Sequence, residues 1–142
     1  MDEARRDELD RFYRSTRYLV RTDGGSDITF SIDVNSSEVD DLAAATGAAS
    51  WAFMTAWNPG SNPLAADENS RRQEDLTQIL NDRGFKFLPG STEDPEEKWD
   101  SEESLLVFGI DRGDAVELAR SFGQNAIVFG RIGEPTQLVW CM

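Results

Sequence analysis

Apolar residues recur at two different periods along this chain, and each change of period marks an element boundary. Over residues 2–15, Leu9, Phe12 and Tyr13 fall at i, i+3 and i+4, the stripe of a short amphipathic helix. RYLVRT (17–22) and ITFSIDV (28–34) alternate with period two, and the turn residues DGGSD between them predict a hairpin. Ser36 and Ser37 offer N-caps to a helix over 37–46, with Val39, Leu42, Ala43 and Thr46 on one face and Gly47 as its stop.

WAFMTAW (51–57) carries apolar residues on both faces, as a central strand covered on two sides must. A helix over 66–83 ends at Gly84, followed by the strand FKFLPG (85–90), an acidic stretch and the apolar strand LLVFGI (105–110). A further helix over 112–122 ends at Gly123, and AIVFGRI (126–132) with QLVWCM (137–142) form a closing hairpin. The order β-β-α-β-α-β-β-α-β-β predicts an α/β (α+β) chain. We expect one domain over 1–142: a mixed β-sheet with about three helices packed on it and hairpins at its ends. An N-terminal helix at 1–15 and an acidic loop at 91–103 complete it.

Composition narrows the chemistry. Four Trp argue for a packed core rather than disorder. No apolar run is long enough for a membrane span, residues 1–12 lack a signal-peptide core, and the lone Cys141 cannot form an internal disulfide, so the expected compartment is cytoplasmic. The net charge of −13 argues against contact with a nucleic-acid backbone and leaves a basic protein as the charged partner to expect. Lys86 and Lys98 are the only lysines among 14 basic residues, a balance also found in salt-adapted and GC-rich organisms. Histidine is absent, which excludes Ser-His-Asp and Cys-His catalysis and His-ligated zinc. The residues indicate no metal site and no particular cofactor.

Three constellations remain. The first is TAWNPGSN (55–62) leading into a helix, where Thr55, Trp57 and Asn58 reach the end of a strand, the usual ligand position in open sheets. Asn-Pro and Gly-Ser also make ordinary turns. On the following helix Asn69 and Arg72 share the face of Leu76 and Leu80, so an amide and a cation point inward. They read either as an anion site or as a structural network in which Arg72 meets Glu68 or backbone. The second is FGQNAIVF (122–129), where Gln124 and Asn125 either cap the preceding helix or offer their amides to the same cleft. The third is STEDPEEKWDSEES (91–104), whose spacing does not fit an EF-hand. There Trp99 needs a place to pack, and Glu103, at the mouth of a buried strand, is a candidate general base with Glu68 behind it.

Taken together, Thr55-Ala56-Trp57-Asn58-Pro59, Glu68-Asn69 with Arg72, Trp99 before Glu102-Glu103-Ser104, and Phe122-Gly123-Gln124-Asn125-Ala126 resemble an uncharacterised bacterial family, a domain of unknown function. An early tyrosine, Tyr13 or Tyr18, also fits. The resemblance spans residues 12 to 140 and departs most over 90–97, which is acid-rich here. It implies no activity or cofactor, only that these polar residues belong together as a shared site.

Two functions follow as expectations. In one, a polar cleft after the TAWNP strand holds a small anionic or nucleotide-like ligand, with Arg72 supplying charge, Asn58, Asn69, Gln124 and Asn125 orienting it, and Trp57 or Trp99 stacking. In the other, the chain is a non-catalytic acidic interaction protein, an inhibitor, immunity factor or nucleic-acid mimic, that binds a basic protein surface through the acids of 93–103.

Overall fold

The computed structural model describes residues 1–142. Its elements, in chain order, are α1 (Glu3–Ser15), β1 (Arg17–Arg21), β2 (Asp27–Phe30), α2 (Ser37–Ala45), β3 (Ser50–Met54), a 3-10 turn (Pro59–Ser61), α3 (Ala66–Asp82), β4 (Lys86–Glu93), β5 (Glu103–Phe108), α4 (Arg112–Ser121), β6 (Ala126–Arg131) and β7 (Gln137–Trp140). No helix is long and apolar enough to cross a membrane.

Local chemistry sets the helix limits. Asp2, Ser36 and Asp111 accept backbone N–H groups at the starts of α1, α2 and α4, relieving the orphan donors of a first turn. Gly47, Gly84 and Gly123 follow α2, α3 and α4 in the left-handed conformation that closes a helix.

The seven strands form one sheet in the order β2-β1-β4-β5-β3-β6-β7, and every neighbouring pair is antiparallel. This corrects the expected mixed sheet. The connections β3-α3-β4 and β5-α4-β6 do cross over between strands of like direction, as their βαβ pattern implies. Each crossover skips one position, and the strand that fills the gap runs the other way: β5 lies between β3 and β4, and β3 between β5 and β6. The expected terminal hairpins, β1-β2 and β6-β7, do lie at the two edges.

Helices number four rather than about three, because α1 packs as part of the domain, with Leu9 fully buried. Strand limits also move. β2 ends at Phe30, and Asp33 then takes a left-handed turn. β3 stops at Met54 rather than 57, and the acidic connection shortens to residues 94–102 because β4 continues to Glu93 and β5 begins at Glu103.

Alternation along the central strands sorts the core into two layers. Ala52, Met54, Leu105, Val107, Ile127 and Phe129 pack with Leu76 and Leu80 of α3 and Leu118 of α4. Trp51, Phe53, Leu106, Phe108 and Val128 face the other way, onto Val39 and Ala43 of α2. The two-sided burial read from WAFMTAW is therefore present over Trp51–Met54.

Trp51 lies flat across Gly130, its register partner on β6, where a Cβ atom would collide with the indole ring. Gly130→Ala should therefore destabilise the protein by about 2–4 kcal/mol. The measure is a lowered urea midpoint at unchanged m-value.

Candidate functional site

Strand direction brings chemistry to one end of the sheet. β3 ends there, β1, β5 and β6 begin there, and residues 55–65, 94–102 and 122–125 connect them there. α1 runs into β1 through Thr16 at the same end.

Past Met54, side chains replace the strand ladder. Thr55 Oγ1 donates to the carbonyl of Glu103 (2.6 Å), and Gln73 Oε1 accepts from the Ala56 N–H (2.9 Å). The chain then enters a sharp turn in which Asn58, Gly60 and Ser61 all have positive φ. For Asn and Ser that conformation carries a cost, so the surroundings must enforce it. Asn69 does so at Asn58. Its Oδ1 accepts the Asn58 N–H (2.9 Å) while its Nδ2 donates to Asn58 Oδ1 (2.8 Å), and Asn58 Oδ1 also accepts the Leu64 N–H (3.0 Å).

A second set of bonds ties this turn to residues 122–125. The Gly60 N–H reaches the Gly123 carbonyl (2.8 Å), Gln124 Nε2 the Trp57 carbonyl (2.9 Å) and Asn125 Nδ2 the Ser61 hydroxyl (3.1 Å). Arg72 spans both segments, donating from Nε to the Ala56 carbonyl (2.9 Å) and from Nη2 to the Phe122 carbonyl. Its guanidinium also sits 5.8 Å from the Phe122 ring centre. Of the readings open to Arg72, the geometry matches the backbone network, and Glu68 is exposed and not bonded to it. Asn69, Gln124 and Asn125 are buried and bonded within the protein. These residues build the turn.

What the turn borders is a cavity of about 270 Å³ between α1, the sheet end and the 94–102 segment. Phe12 and Trp99 close one side, with ring centres 4.6 Å apart and planes 37° from parallel. Phe53, Tyr13 and Tyr18 add aromatic wall, and Thr55, Asn58, Ser61 and Gln124 add polar groups. Among the residues singled out from sequence, Thr55, Asn58, Gln124 and Trp99 line this space. Trp57, Asn69, Arg72 and Asn125 stand behind its wall, and Glu103 borders a separate open groove beside Gln73 and Glu74.

The half-buried carboxyl inside is Glu102, one residue from the carboxylate favoured by sequence; Lys98 and Asp100 also line the space but are exposed. Neighbours on an extended chain face opposite ways, so Glu102 shares the side of Ser104 and Leu106 while Glu103 turns to solvent. Extending that alternation one step past the strand start singles it out. Glu102 is fixed by its backbone, whose N–H donates to Thr92 Oγ1 (3.0 Å) and whose carbonyl accepts the Thr92 N–H (3.1 Å). Its Oε1 accepts from Asn58 Nδ2 (3.2 Å), and Oε2 has no bond within the protein. Burial pushes its pKa from 4.5 up to about 7, with the Asn58 bond working weakly against that rise. Beside it, the Tyr13 hydroxyl shares a hydrogen bond with Ser61 Oγ (3.2 Å), and burial raises the phenol's pKa. Tyr18 donates to the Tyr13 carbonyl (2.7 Å) and is likewise raised by burial.

Fold and site together define a small α+β domain with an aromatic-walled, carboxyl-bearing cavity at one end of an antiparallel sheet. The chain belongs to the family DUF3293, proteins of unknown function, whose pattern matches residues 54–127, over half its length. That segment holds the turn, α3, Trp99, Glu102 and the Gln124-Asn125 pair, while Phe12 and Tyr13 lie before it. No curated protein and no solved structure matches the chain.

Two outcomes are expected. Arg72→Ala should destabilise the fold by about 2–3 kcal/mol in urea unfolding, because two carbonyls lose their donor. For Glu102, an acid whose folded pKa lies above its unfolded value takes up a proton on folding, so stability is fullest below pH 4.5 and falls as pH rises towards 7. Glu102→Gln keeps the acceptor for Asn58 and removes the charge. At pH 8 it should be more stable than the parent by on the order of 1–3 kcal/mol, after allowance for residual solvent screening, and the gap should vanish near pH 4.

Proposed function

We propose that the protein binds a small molecule with a flat apolar body in the cavity between α1, β3 and the 94–102 segment. The observation that carries this reading is the seating of a half-buried, singly bonded Glu102 carboxyl inside an aromatic-walled space of about 270 Å³. A fold optimised for stability alone would fill such a space with side chains or pair the carboxyl. Concave sites with mostly apolar walls and a few convergent polar groups are where small ligands bind. The left-handed Asn58 and Ser61 add to this, since strained backbone is kept where the surroundings enforce it, and such residues cluster at binding sites.

The ligand is held on this reading by Phe12, Tyr13 and Trp99 along its faces and by Asn58, Ser61 and Glu102 at its polar edge. On this reading the nucleotide-like part of the sequence expectation becomes a stacked heterocycle. Its anionic part has no support from Arg72, whose donors end on the carbonyls of Ala56 and Phe122. Chain charge favours a second reading, an acidic interaction protein: Glu93, Glu96, Glu97 and Asp100 are exposed around Trp99, itself 37% exposed. That reading assigns binding to those carboxylates and leaves the cavity idle.

Thermal denaturation against nucleosides, aromatic amines and sugar phosphates separates the two. Aromatic compounds should raise the melting temperature, by up to about 2.7 kcal/mol of added stability at a hundred times Kd. Trp99→Ala should weaken that binding about tenfold with the fold retained. Stabilisation by none of the aromatic compounds would defeat the cavity reading.

A further inference from the structure

Resting on that ligand cavity, we propose that its occupant is a planar organic cation, an amidinium, guanidinium or protonated aminoheterocycle, whose N–H groups meet the Glu102 carboxyl while its flat body lies along Phe12 and Trp99. The charges around the space select this class. Glu102 and Asp100 both line it, and the one basic side chain there, Lys98, is exposed and pairs with Glu96 (2.9 Å). Three other cations near the sheet end are committed elsewhere: Arg5, whose charge reaches Tyr13, pairs with Glu8 (3.5 Å), and Arg72 and Arg14 have partners of their own. Arg72 bonds two carbonyls behind the wall, and Arg14 on α1 pairs with Asp10 (2.7 Å) and Asp33 (2.5 Å).

Facing Glu102 from α1 and β1 are Tyr13 and Tyr18, neutral phenols whose ionisation is opposed first by burial and then also by the Glu102 charge. An anion entering here would meet a carboxylate with no counter-ion. Glu102 Oε2, which has no bond within the protein, is open to the N–H of a cation. Two further features suit it. Aromatic faces attract a desolvated cation through their quadrupole, and the chain's net charge of −13 draws cations towards the molecule. A carboxyl held at its backbone by Thr92 and at Oε1 by Asn58 is set for the paired N–H groups of a planar cation, the geometry in which such contacts are strongest.

Three isosteric probes test charge directly in the full-length protein at pH 8: benzamidine, benzamide and benzoate, by calorimetry and thermal shift. Benzamidine should bind with a Kd about tenfold below that of benzamide, and benzoate should not bind. Glu102→Gln should abolish the preference for benzamidine over benzamide. Equal affinity for benzamidine and benzamide, or binding of benzoate, overturns the cation assignment and leaves the cavity reading standing. A benzamidine preference that persists in Glu102→Gln overturns it as well. Failure of every aromatic probe to bind the parent protein removes the cavity reading and this assignment together.

Discussion

Asn58 occupies a left-handed backbone conformation, and a side-chain amide from the next helix holds it there. The pair Asn58–Asn69 exchanges backbone-to-side-chain and side-chain-to-side-chain bonds at 2.9 and 2.8 Å, and a third bond from Leu64 completes the acceptor. The direction in which the chain leaves β3, the position of Ser61 and the contact made on Glu102 all depend on that one constraint. Arg72, Gln124 and Asn125 then fasten the same turn to the end of α4. Much of the polar chemistry here thus fixes where the chain goes, and a small remainder faces the cavity.

That division explains what sequence could and could not reveal. The strands, their two-sided burial and the terminal hairpins are legible because period and turn residues are local properties. The antiparallel sheet is not, because it depends on which strand fills the gap left by a crossover, a choice made by residues far apart in the chain. The same holds at the site. Asn58, Asn69, Arg72, Gln124 and Asn125 do come together, as their inward placement implies. Whether an inward polar group meets a ligand or a carbonyl is decided by distances of a few ångströms across different loops. Arg72 shows this well: its inward direction is correct, and what it reaches is the backbone of Ala56 and Phe122. For Glu102 and Glu103 the relevant signal was alternation carried one residue beyond the strand.

Electrostatics at the open end of the sheet follow from the same geometry. A chain rich in exposed acids draws one of them, Glu102, partly out of water with a single amide beside it. Surface carboxylates cost little because solvent screens them, whereas this one is opposed by its own desolvation. Stability is given up at a point next to aromatic walls, and that coincidence gives the cavity its functional weight.

The skipped-strand topology also bears on how the chain is made. β3 finds its neighbours only in β5 and β6, which begin at Glu103 and Ala126. During synthesis the segment SWAFM therefore emerges from the ribosome long before either partner exists, with both edges unpaired and the face later covered by α3 and α4 open. The residues that flank it directly, LAAATGAA before and TAWNPGSNPLA after, carry no charge, so its edges are protected only once β5 and β6 arrive.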